Sequence, residues 1–102
     1  MDIPEFESRA GRLDGVRTRT ADGLLSCRYH GRLVARQIDE THVVVRCSFD
    51  VRDQLVAQFP DTFSVPARFA KHMMIVADLR RGDEGAIEDA LIAAWRLQSA
   101  AD

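Results

Sequence analysis

The sequence predicts a two-layer α+β domain: an antiparallel sheet of about five to six strands packed by helices, in the order α-β-β-β-β-α-β-β-α. Three observations predict it. Short β-branched runs in the first half of the chain are separated by the turn pairs Asp22-Gly23 and His30-Gly31. Asp50 and Asp83 stand before segments whose apolar residues recur at helical spacing. The 102 residues, 46% hydrophobic and 29% charged, suit one domain with a single modest core.

Pro4, with Asp2 or Ile3 before it, opens a first helix that runs to about Leu13 and ends at Asp14-Gly15. "VRTRT" then alternates as a strand and turns at "ADG". The next stretch, "CRYHGRLVAR", spaces Arg28, Arg32 and Arg36 four residues apart, which on a helix would stack three guanidinium groups on one face. Gly31 decides against that helix. Inside one it costs about 1 kcal/mol relative to Ala, whereas His30-Gly31 suits a two-residue hairpin loop that requires positive φ. Asp39-Glu40 separates "RLVARQI" from the β-branched "THVVVRC", so a meander of strands over 24–29, 32–38 and 41–47 follows.

With two-residue loops at both turns, Tyr29 faces Arg32, Cys27 faces Val34, Val34 faces Val45 and Arg36 faces Val43. The core face then carries Leu25, Cys27, Tyr29, Val34, Ile38, Val43, Val45 and Cys47, together with Arg32 and Arg36. The opposite face carries Leu24, Ser26, Arg28, Leu33, Ala35, Gln37, His42, Val44 and Arg46, with Arg28 and Arg46 flanking Leu33. Farther on, Asp50 caps a helix from Val51 to Phe59 that buries Leu55, Val56 and Phe59 and stops at Pro60. "TFSV" and "HMMIVADL" are strands joined by "PARFAK". Asp83 caps a last helix with the stripe Ile87, Ala90, Leu91, Ala94 and Leu97, bordered by Trp95.

No apolar run is long enough to span a bilayer, and "MDIPEFESRAGR" lacks the basic start and apolar core of a secretory signal, so the expected compartment is the cytoplasm. Cys27 and Cys47 fall on the outer strands of the meander, about two strand spacings of ~4.8 Å apart, beyond disulfide reach. They read as small buried hydrophobes. His30, His42 and His72 have no ligand partner at a metal-binding spacing, so neither metal nor cofactor is expected. "RRGDEG" lacks the Lys-Ser/Thr of a phosphate loop and has acids where phosphate would dock. No nucleophile stands with a base, and no enzyme is expected.

The net charge of −2 argues against general coating of nucleic acid. Its distribution is uneven: residues 1–8 carry −3, residues 9–36 carry +5 and residues 37–102 carry −4. The basic segment is either solvated surface or a binding patch. As a patch, Arg17 and Arg19 point the same way on their strand and, with Arg28 and Arg46, line a groove for phosphates. Arg32 and Arg36 are secondary candidates that either present their heads at the core rim or pair with an acid of the last helix such as Glu88.

The segment "LLSCRYHGRLVARQIDETHVVVRCSFDVRDQLVAQFPDTFSV" resembles the core of the MmcQ/YjbR family of small bacterial proteins. The resemblance rests on Gly31-Arg32, the Val34-Ala35-Arg36 continuation, the "FD-x-R-D" helix start at Phe49 to Asp53, and the closing "DALIAAWRL". It departs at "RLDGV", at Arg32 where Lys is usual, and at "RFAKHM", which lacks the family's tyrosines. The resemblance implies a two-layer fold like secretion chaperones and the frataxin-like CyaY proteins, and a DNA-binding role through a double-wing-like shape. Two functional expectations follow. One is a weak, largely non-specific DNA-binding domain using Arg17, Arg19, Arg28 and Arg46. The other is a protein-interaction module, monomer or homodimer, in which apolar Leu24, Leu33, Ala35 and Val44 receive a protein partner or a second copy.

Overall fold

A computed structural model describes residues 1–100 of the chain. The element order is α1 (Ile3–Gly11), β1 (Val16–Ala21), β2 (Leu24–Tyr29), β3 (Arg32–Gln37), β4 (His42–Arg46), α2 (Phe49–Gln58), β5 (Phe63–Ser64), a 3₁₀ turn at Ala67–Phe69, β6 (Met74–Asp78) and α3 (Glu84–Ser99). The six strands form one open antiparallel sheet in the order β1-β2-β3-β4-β6-β5. The expected α+β class and element order are therefore those of the structure. No helix among the described residues is long and apolar enough to cross a membrane.

The three helices share one face of the sheet. α1 lies on β1 and β2, α3 on β2 to β4, and α2 at β5 and β6. Each helix starts on a side-chain cap. Asp2 accepts from the Glu5 N–H, Ser48 from Val51 and Asp83 from Ala86. Asp50, expected as the cap of α2, instead sits within its first turn, where a carboxylate suits the positive end of the helix. α2 buries no residue completely; Leu55, Val56 and Phe59 are half-buried against the core. α3 supplies the largest helical contribution, with Ala86, Ile87, Ala90, Leu91 and Ala94 all buried. The Trp95 indole N–H donates to the Asp14 carbonyl at 2.8 Å and ties α3 to the end of α1. Arg9 links the same two helices through Glu5 and Glu84, each at 2.9 Å, and Glu88 at 3.9 Å. Glu88 thus serves α1 and not the meander arginines.

The His30-Gly31 turn has positive φ at both residues, +47° and +82°, as a type I′ hairpin requires. Tyr29 faces Arg32 as expected. Two departures follow in β3. A bulge lets Cys27 face Ala35 instead of Val34, and Ala35, not Val34, faces Val45. Arg36 consequently faces Val44 instead of Val43. The bulge buries Val34 and Ala35 together, which strict alternation would forbid. The β3–β4 turn is one residue longer than expected, because the Asp39 carboxylate accepts from the Thr41 and His42 N–H groups, both at 2.9 Å. Asp39-Glu40 offers no glycine for a two-residue loop. The two extra residues cancel on β4: Val43 and Val45 face the helices, Val44 and Arg46 the opposite side.

Four face assignments change as a result. Ala35 moves into the helix-side core and Gln37, facing Val43, moves to the same side, while Arg36 and Ile38 move to the other face, Ile38 packing near Val44, Val76, Phe69 and Met74. The apolar patch expected from Leu24, Leu33, Ala35 and Val44 is not assembled: Ala35 is inside and Val44 is buried in the cluster with Phe69.

Candidate nucleic-acid interface

Directly facing residues of a sheet share a side. Arg17 faces Arg28, Arg19 faces Ser26, and Ser26 faces Arg36, so four arginines of three adjacent strands occupy the face away from the helices. Arg17, Arg19 and Arg28 line a concavity of about 420 Å³ together with Ser26 and His30. Among the described residues no carboxylate lines it. At its rim Gly15 has φ +78°, and a Cβ there would lie 2.6 Å from the Tyr29 ring, so only glycine lets the chain enter β1 this close to the hairpin. Tyr29 in turn stacks on His30, ring centroids 4.0 Å apart. Arg28 donates to the Gly31 carbonyl at 3.2 Å, which holds its guanidinium near the hairpin tip. Arg17 and Arg19 are exposed and have no hydrogen bond or ion pair among the described residues.

A second basic cluster lies toward β6. Arg36 and Arg68 approach the Phe69 ring at 5.9 and 4.7 Å from its centroid. Contact with a ring face favours a cation and fixes where each guanidinium lies. Phe69 is buried against Val44 and Val76, so it positions arginines and offers no surface for stacking a base. The segment carrying it is fastened from the helix side, since Arg52 donates to the Ala70 and His72 carbonyls at 3.2 and 3.0 Å. Arg46 faces Met74 on the same open side, half-buried, with its Nε–H lacking a hydrogen-bond partner. The row Arg19, Ser26, Arg36 joins the two clusters across strands spaced ~4.8 Å apart.

Arg17, Arg28 and Arg46 lie toward the end where β1, β3 and β6 begin. Asp22, Asp39, Glu40 and Asp78 lie toward the other end, Asp78 together with Arg80 and Arg81. There His42 sits between Asp39 (Nδ1 at 3.0 Å) and Asp78 (Nε2 at 3.7 Å), bracing the β3–β4 turn against β6.

Of the four residues expected to form the site, Arg17, Arg19 and Arg28 come together and Arg46 stands apart, two strands from β2. Of the secondary pair, Arg36 joins the face through the bulge. Arg32 does not: it lies on the helix side, donating to the Gln98 carbonyl at 2.9 Å. Arg68 was not anticipated, because "PARFAK" reads as a connection. The available signal was Phe69 between Arg68 and Lys71, an aromatic among cations.

Cys27 and Cys47 are buried and unpaired. Burial pushes their thiols up to about 12 and about 11, so neither provides a thiolate nucleophile near neutral pH. Among the described residues no three His, Cys, Asp or Glu side chains are grouped to hold a metal ion. No family model, no curated protein and no solved structure matches this chain.

Proposed function

We propose that the protein is an MmcQ/YjbR-like domain that binds DNA weakly and without sequence preference, through the open sheet face. The observation that carries this reading is the clustering of Arg17, Arg19, Arg28, Arg36, Arg46 and Arg68 on one side of a chain whose net charge is −2. Guanidinium groups on a rigid sheet match phosphate oxygens bidentately. Phosphate contacts position a duplex and carry no base information. Buried Phe69 is consistent with that division, since its own ring is closed to a base.

Fluorescence anisotropy of a short labelled duplex, titrated from about 20 to 200 mM salt, tests the reading. Three to five phosphate contacts give a log–log slope of about −3 to −5, from roughly −0.9 for each contact. The double change Arg17→Glu and Arg28→Glu abolishes binding, while Arg12→Gln on exposed helix surface leaves it unchanged. Absence of binding at the lowest salt overturns the proposal.

A further inference from the structure

Arg17 and Arg28 face each other directly across β1 and β2, and Arg19 stands one pleat along on the same side. Like charges directly opposite on a sheet destabilise it. An acid at any one of the three positions would relieve the repulsion, yet among the described residues none lines the concavity. Arg17 and Arg19 have no counter-ion among the described residues, and Arg28 spends one donor on the Gly31 carbonyl. Ser26 adds a hydroxyl at the floor, between Arg19 and Arg36 in register. The volume, about 420 Å³, is within the range of small-ligand sites.

We infer that this concavity is a phosphomonoester site. Three arginines lining one concavity suit a compact dianion better than a mid-strand phosphodiester, which carries a single charge. A phosphomonoester carries about −1.5 to −2 near pH 7 and presents three strong acceptor oxygens. Each guanidinium offers a planar fork of donors to such oxygens, and Ser26 can donate one more. Gly31, at the hairpin end of the concavity, has open space where a side chain would stand, which leaves room for the sugar that the phosphate ends. The strand-end source of that group rests on the DNA-binding reading; the phosphomonoester chemistry does not.

The experiment compares one twelve-nucleotide single strand in three forms, with a 5′-phosphate, a 3′-phosphate or hydroxyls at both ends, alongside adenosine 5′-monophosphate alone. A terminal phosphate tightens binding about tenfold or more, and Arg19→Gln removes that difference. Arg68→Gln, outside the concavity, weakens all three strands alike and preserves it. If adenosine 5′-monophosphate binds with the same Arg19 dependence while no strand does, the site stands with a free mononucleotide as its ligand, and a strand end is excluded as its source. Equal affinity for all three strands overturns the phosphomonoester site and leaves DNA binding intact. If none of the four ligands binds, the phosphomonoester site is overturned, and the duplex titration alone decides DNA binding.

Discussion

Strand β4 displays both sides of the sheet within five residues. Val43 and Val45 are completely buried in the helix-side core, whereas Val44 and Arg46 face the open side, where Val44 is covered by Phe69 and Arg46 is half-buried. The helix side has one continuous cluster fed by all three helices. The open side has only the small cluster of Val44, Phe69 and Val76, at the β4–β6 end, and bare arginines over β1 and β2. Most of the buried apolar surface therefore lies on the helix side, and the exposed arginines over β1 and β2 on the other side carry charge without filling the core.

Substitutions on the two sides put that division to the test. Leu91→Ala on α3 removes a fully buried side chain and lowers unfolding free energy by about 2–5 kcal/mol, measured by urea denaturation. A loss below about 1 kcal/mol would show that the helix side is loosely packed. Arg46→Glu costs about 1–3 kcal/mol, because the half-buried position places a carboxylate among apolar neighbours. Arg28→Glu, at an exposed position, stays within about 0.5 kcal/mol in the same assay. Equal costs at the two positions would mean that the open side is uniform after all.

The thiols offer a chemical version of the test. Both are on the helix side, and native protein at pH 8 leaves Cys27 and Cys47 unreactive toward Ellman's reagent until denaturant is added. Prompt labelling of either one in the native state would place an opening in the helix layer.

The smallest effect is expected at the β3–β4 turn. Hydrogen bonding from the Thr41 N–H and then from His42 holds the Asp39 carboxyl below its ordinary value. A depressed folded-state pKa stabilises above the unfolded value, about 3.9, and that contribution is lost as pH falls through the lower folded value. Asp39→Asn keeps an oxygen acceptor for the turn but cannot titrate, so its stability curve is flatter below about pH 4. Superimposable acid limbs for the two proteins would remove Asp39 from the turn's support.

Much of the fold is legible from local chemistry. His30-Gly31 announces its turn because few residue pairs take positive φ twice, and Asp2 and Asp83 announce helix starts because short acceptor side chains satisfy orphan N–H groups. Face assignment within β4 is equally local, following from alternation alone. The site is only partly legible. Arg17, Arg19 and Arg28 are recoverable because they sit on two strands joined by the short Asp22–Gly23 turn. Arg36 is not, because its side depends on whether β3 contains a bulge.

The sequence by itself determined the α+β class, the element order and the net positive charge of residues 9–36, since turns, caps and periodicity are encoded within a few residues of where they act. Only the tertiary structure decided the register of β3, the burial of Ala35 and the meeting of Arg36 with Arg68 over Phe69. The reason is that a bulge costs little locally and is selected by whether Val34 and Ala35 can both be packed under α3. Arg36 and Arg68 lie on elements separated by β4, α2 and β5 in the chain, and only the folded sheet brings them to one ring.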